Sequence, residues 1–129
     1  MKIADDILET KHCELWTIDP DDSVQDALFL MSQKKVGALL VVQDERLLGI
    51  LSESDYVRKI VGQKLDPEHT TVNEIMTRNV ITATPTTPIE ECMQMMTRGQ
   101  FRHLPILIGD ELVGLISIND IVRALMGGK

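Results

Sequence analysis

Two seven-residue stretches, GILSESD at residues 49–55 and GLISIND at residues 114–120, share the pattern G-[apolar]-[apolar]-S-x-x-D. A serine followed three residues later by an acid marks a helix N-terminus. There the hydroxyl and the carboxylate satisfy backbone N–H groups that the first turn leaves over. The same corner can also bind. Its N–H groups and partial positive charge favour a phosphate, with the serine hydroxyl as an added donor. An aspartate one turn along accepts hydrogen bonds from vicinal hydroxyls such as those of a ribose. Apolar strand residues beside it would frame a slot for a flat base. Base, sugar and phosphate together describe a nucleotide. For one copy alone, helix capping by Ser52 and Asp55 explains the pattern as well as binding does, so the duplication matters.

The duplication extends far beyond the corner. Residues 17–61 lie on residues 82–126 without a gap, pairing Thr17 with Thr82, Pro20 with Pro85, Met31 with Met96, Gly49 with Gly114 and Arg58 with Arg123. The lead-in Asp6-Ile7-Leu8 matches Glu74-Ile75-Met76 once three residues are inserted in the first copy. Each copy reads as an extended piece (Leu15–Ile18; Val80–Ala83), a proline turn and a helix. Val24, Ala27, Leu28 and Met31 form an i, i+3, i+4, i+7 stripe behind Ser23, a good N-cap. Ile89, Cys92, Met93 and Met96 repeat it behind Pro88, which suits a first helical position. Two apolar runs follow (Ala38–Val42 and Leu47–Leu51; Leu104–Ile108 and Leu112–Ile116), joined by hairpin turns. A second helix starts at the repeated serine.

The unit is β-α-β-β-α, used twice. A small sheet with helices on one face leaves the other face bare, so the expected fold is α+β: two repeats packed through their sheets with pseudo-two-fold symmetry. The expected division is 1–65 and 66–129, with Gly62–Thr71 an exposed connector and Thr71–Thr77 a short helical turn.

Composition narrows the function. Apolar residues are 43% and charged residues 26% of 129, ordinary for a folded domain, and the net charge is −7. That charge disfavours nucleic acid and anionic membrane as partners, and the apolar runs are too short to span a bilayer. The stretch MKIADDILET carries acid where a signal peptide has its apolar run, so the cytoplasm is the expected compartment. Cys13 and Cys92 make no metal spacing, and His12, His69 and His103 are scattered. Neither a phosphate-binding G-x-x-x-x-G-K-[ST] loop nor G-x-G-x-x-G is present, and no nucleophile stands with a base. No enzyme and no bound metal are expected. Phe29, Leu30 and Met95 lie off their helical stripes, as though a partner covered them.

The paired units, the two corners, the lead-in VNEIMTRNVITATP and the segment RHLPIL resemble CBS domains, the modules named after cystathionine β-synthase. The resemblance runs from about Ala4 to Met126 and is to stand-alone proteins made of one CBS pair. It implies a tandem pair holding an adenosine-containing ligand (AMP, ADP, ATP, S-adenosylmethionine or NAD) in the cleft between the copies, and dimerisation into a flat disc. Carried over by position, Asp55 and Asp120 accept from the ribose, and Ser52 and Ser117 stand nearer the phosphate beside Ser54 and Asn119. Thr17 and Thr82 line the cleft from the first strand. Arg102 and His103, just before Pro105, match the basic pair that the family uses for phosphates; copy one has Val36, Gly37 and Ala38 there. The copies are therefore expected to be unequal, with phosphates near Arg102 and His103 and with room for a base beside Gly37 and Ala38. The implied role is an adenine-nucleotide-sensing regulatory module, a homodimer through the first and second helices of each repeat, read by a regulated protein. The alternatives are an interaction module with unused clefts and a nucleotide-processing enzyme.

Overall fold

The computed structural model describes residues 2–10 and 15–127; His12 and Cys13 lie outside them. The elements are α1 (Ala4–Thr10), β1 (Thr17–Ile18), α2 (Val24–Lys34), β2 (Ala38–Gln43), β3 (Arg46–Ser52), α3 (Glu53–Asp55), α4 (Val72–Ile75), α5 (Ile89–Gly99), β4 (His103–Ile108), β5 (Glu111–Ser117) and α6 (Ile118–Gly127). Helix α3 runs on as a π-helical segment, Tyr56–Val61. The architecture is α+β, as the repeat predicts.

The compact units do not coincide with the sequence halves 1–65 and 66–129. One is contiguous, Trp16–Val80; the other is composite, Met1–Leu15 with Ile81–Lys129. Each lead-in helix packs on the body of the other copy. In the contiguous unit the α4 segment is tied to the Pro20 turn by Val72 N–H to Asp22 O (2.9 Å) and Asn73 N–H to Pro20 O (2.9 Å). In the composite unit α1 makes the equivalent bonds, Ala4 N–H to Thr87 O and Asp5 N–H to Pro85 O, both 2.8 Å. Burial explains the attachment. Val72, Ile75 and Met76 join Val24, Ala27, Met31, Leu39, Leu51 and Ile60 in one core. Ala4 and Ile7 join Ile89, Cys92, Met96, Leu104, Ile116 and Ile121 in the other. A lead-in of this length forms too few internal bonds to stand alone, so its apolar face decides where it goes.

The helices follow their caps. Ser23 Oγ accepts from Asp26 N–H at 3.0 Å, and Lys35 ends α2 in the left-handed region at φ 56°. Pro88 sits one place earlier than expected, at the N-cap of α5, because its ψ of 145° is extended; its carbonyl still accepts from Cys92 N–H at 3.0 Å.

The contiguous sheet has the order β1-β2-β3, with β1 parallel to β2 and β2 antiparallel to β3. Among the described residues, the regular sheet of the composite unit is the β4-β5 hairpin. The strand expected over 80–83 is reduced to one parallel bridge, Ala83 to Ile106. Proline is the reason. In copy one Leu40 N–H donates to Trp16 O (3.2 Å). Its counterpart in copy two is Pro105, which has no N–H to give Ile81. The hairpin turns are Asp44-Glu45, both left-handed (φ 52° and 65°), and Gly109-Asp110, with Gly109 at φ 61°.

Phe29 is 63% exposed, as its place on α2 suggests, but Leu30 and Met95 are not laid bare. Both are half-buried against the core of their own unit.

Candidate functional site

The two corners form as their sequence reads, and each can be built within its own unit. In the contiguous unit β2 and β3 pair Ala38 with Ser52, and Gly37 O accepts from Glu53 N–H at 3.1 Å. Gly37, Ala38, Ser52 and Asp55 are thereby brought together. Thr17 lies on β1 opposite Leu40 and is exposed, as is Ser54, whose carbonyl accepts from Arg58 Nε at 3.5 Å.

Asp55 is 1% exposed and heavily engaged. Its Oδ2 accepts from Ser52 N–H (3.0 Å) and Ser52 Oγ (3.2 Å), while Ser52 Oγ accepts from Asp55 N–H (3.3 Å), completing a capping box. Its Oδ1 accepts from Thr77 Oγ1 (3.1 Å) and faces Arg58 (3.5 Å) and Lys59 (3.6 Å). Lys59 Nζ also donates to Ile75 O at 2.8 Å. The π-helical segment turns Lys59 towards α4; its wide bonds include Gly62 N–H to Val57 O (3.0 Å), and Leu65 N–H to Ile60 O follows at 2.9 Å.

In the composite unit β4 and β5 pair His103 with Ser117 and Pro105 with Leu115, and Ile118 N–H donates to Arg102 O at 2.8 Å. Arg102, His103, Ser117 and Asp120 thus share one end of the hairpin, with Asn119 exposed at the start of α6. Thr82 is exposed beside Ala83, whose N–H donates to Pro105 O at 3.0 Å. Asp120 is 7% exposed; its Oδ2 accepts from Ser117 N–H (2.8 Å) and its Oδ1 from Arg123 Nη2 (2.7 Å).

Beside Asp120 lies a cavity of about 570 Å³, lined by Lys2, Asp6, Thr10, Asp120, Arg123 and Ala124 among others. Its size is within the roughly 300–1,000 Å³ range of small-molecule sites. Lys2 Nζ donates to Ala124 O at 2.9 Å across one edge. Arg102 and His103 are not among the lining residues. No motif in the sequence marks Lys2, Asp6 or Thr10 as site residues, and the place of Arg123 one helical turn past Asp120 suggests only pairing on the helix surface, yet all four line this cavity. The match of Asp6-Ile7-Leu8 to Glu74-Ile75-Met76 held the signal, because it marks α1 as part of a repeated body.

Two further features bear on chemistry. Cys92 is a free, buried thiol; burial, then the Glu91 carboxylate, push its pKa up. On the connector, His69 Nδ1 lies 2.6 Å from Asp66 Oδ2, and Glu68 N–H donates to Asp66 Oδ1 at 3.0 Å. The hydrogen bond to His69, then that from Glu68, hold the Asp66 carboxyl below its ordinary value. This trio is an exposed turn. Among the described residues, no helix is long and apolar enough to cross a membrane.

The CBS domain profile matches the chain twice, over residues 4–62 and 72–127. The chain belongs to the CBS domain family. It is 42% identical over 111 residues to the mitochondrial CBS domain-containing protein CBSX3 of Arabidopsis thaliana, covering 82% of this chain and 54% of that relative. It therefore spans only about half the length of that protein. To the CBS domain-containing protein YhcV of Bacillus subtilis it is 31% identical, covering 95% of this chain and 87% of YhcV. Among solved structures, a Burkholderia ambifaria protein with CBS domains, suggested to act in signal transduction, matches with a TM-score of 0.95 at 40% identity, covering 99% of this chain and 96% of that one. The CBS domain pair of protein MJ0100, solved in complex with 5′-methylthioadenosine and S-adenosyl-L-methionine, matches with a TM-score of 0.87 at 26% identity, covering 100% of this chain and 99% of that one.

Proposed function

We propose that this CBS pair is a non-catalytic sensor of an adenosine-containing ligand, AMP, ADP, ATP or NAD, seated at the Asp120 corner. The observation that carries the reading is a nearly buried carboxylate at the start of α6 with a ligand-sized cavity alongside. Asp120 receives the ribose hydroxyls, and the Ser117 hydroxyl stands at the helix start. Lys2 and Arg123 line the cavity beside the carboxylates of Asp6, Glu9 and Asp120, and the Arg102 guanidinium and the His103 ring stand at the neighbouring hairpin end. The adenosine compounds on the MJ0100 pair support this ligand class.

Binding stabilises one arrangement of the chain, and a regulated protein reads that arrangement. The sensor works as a homodimer through its helices. Phe29, Val57, Val61, Val122, Leu125 and Met126 are exposed helical hydrophobes that such contacts would cover. A reducing compartment, the cytoplasm, suits the free Cys92 thiol.

Thermal unfolding with AMP, ATP, NAD or S-adenosylmethionine tests this. A ligand at about 100 times its Kd adds about 2.7 kcal/mol, so at least one should raise the melting temperature by several degrees. Asp120→Ala should remove that rise and Asp55→Ala should weaken it less. No response to any of the four, or an equal response in Asp120→Ala, refutes the assignment.

A further inference from the structure

The cavity beside Asp120 has two walls that lie far apart in the chain. Lys2, Asp6 and Thr10 stand on α1 or just before it, and Asp120, Arg123 and Ala124 stand on α6. The repeat shows how the first wall arises. In copy one the matching helix, α4, ends at Ile75; Met76 is extended (ψ 154°), and Thr77 pairs with Ile50. In copy two Leu8, the match of Met76, and Glu9 after it stay helical, and α1 ends at Thr10, whose Oγ1 donates to Ile7 O at 2.9 Å. The added turn brings Glu9 and Thr10 to the cavity. Yet α1 is lightly held. Of its seven residues only Ala4 and Ile7 are buried. Besides its two bonds to the Pro85 turn, Ile89 N–H donates to Lys2 O at 3.0 Å and Lys2 Nζ to Ala124 O at 2.9 Å. A helix this short does not persist away from the surface it packs on. With so few buried contacts it leaves and returns at the low end of the chain's local stabilities.

We infer that docking of α1 is the ligand-driven step of this sensor: the adenosine ligand sits between α1 and α6, so occupancy of the cavity and docking of α1 are one equilibrium. The inference rests on the proposed ligand reading and adds to it the element that moves. A ligand that touches both walls binds the docked form and not the undocked one. By linkage it favours docking in proportion to its occupancy. What a regulated protein reads is then the presence or absence of α1 on the body of copy two.

The test is hydrogen exchange of the full chain, read by mass spectrometry, with whichever of AMP, ATP, NAD and S-adenosylmethionine gives binding heat in calorimetric titration. At about 100 times its Kd the ligand should slow exchange of the α1 amides by up to about 100-fold. The hairpin β4-β5, which gives the cavity no wall among the described residues, should slow less. Ala4→Asp puts a carboxylate into the core that Ala4 shares with Ile89 and Ile121. That variant should melt cooperatively, exchange its α1 amides freely and bind at least tenfold more weakly. A ligand that binds yet leaves α1 exchange unchanged, or slows α1 and the hairpin alike, overturns the inference and leaves the ligand reading standing. So does wild-type affinity in Ala4→Asp with α1 exchanging freely. Should Ala4→Asp fail to fold, or keep α1 docked, exchange in the wild-type chain decides alone. A wild-type chain that binds none of the four overturns the ligand reading, and this inference with it.

Discussion

Replacing Gly49 by alanine should harm the protein far more than the same change at Gly114, although the two glycines hold the same place in the repeated corner. A Cβ built on Gly49 falls 2.6 Å from Thr77 O and 2.8 Å from Met76 Sδ. Real Cβ atoms essentially never come within 3.0 Å of a neighbour, so the Thr77 carbonyl would have to retreat. That carbonyl accepts from Ile50 N–H (3.0 Å), and Thr77 N–H donates to Ile50 O (2.9 Å). Both bonds would stretch, at about 1 kcal/mol each, and overpacking adds about 1–3 kcal/mol. Alanine recovers about 0.4–1 kcal/mol through the unfolded chain. The net cost is about 2–4 kcal/mol, or about 6–15 °C in melting temperature for a chain of this size. At Gly114 the three atoms nearest the new Cβ are all in the Leu8 side chain, Cδ2 at 2.5 Å, Cδ1 at 3.0 Å and Cγ at 3.3 Å, and a flexible side chain can rotate away. The cost there should stay below about 1.5 kcal/mol. Urea denaturation of the two variants separates the cases. Leu8→Ala should restore the Gly114 variant, whereas Met76→Ala should not restore the Gly49 variant. Equal losses at both glycines would show that backbone approach is not why copy one carries glycine there.

Asp55→Ala should destabilise the ligand-free chain by about 2–3 kcal/mol, since it strips the capping box and leaves Lys59 and Thr77 without their carboxylate; an unchanged urea midpoint would contradict the network. Ser23→Ala removes the N-cap bond of α2 and should cost about 1 kcal/mol by the same measurement. The Cys92 thiol titrates above its ordinary 9.0, so the folded state favours the neutral form. Its contribution is complete below that value and is lost as pH rises through the folded value. Iodoacetamide at pH 8, followed by peptide mapping, should label Cys92 much more slowly in native than in urea-unfolded protein; equal rates would count against the burial.

Local order was legible in the chain and long-range attachment was not. Ser23 and the Ser-x-x-Asp corners announce their helices because capping is settled within four residues. The hairpins follow from alternating apolar runs and short turns. The exchange of α1 and α4 between the copies leaves no such mark, because an ungapped repeat does not say whose body a lead-in covers. The lost strand at 80–83 could have been read from Pro105, whose missing N–H sits where Leu40 donates in copy one. As for the site, the carboxylates and serines were visible as types and spacings. Lys59 and Ala124 were invisible until the fold showed which way their side of the helix faces.

The composite unit also dictates an order of events during synthesis. Residues 16–80 can close their core as soon as they leave the ribosome, since every strand and helix of that unit lies within one uninterrupted stretch. Helix α1 is made earlier, yet its binding surface does not exist until residues beyond 81 have emerged. It waits through the whole of the contiguous unit with Ala4 and Ile7 uncovered. A cut at residue 65 would separate each lead-in from the body it packs on, whereas excision of 16–80 removes one complete unit.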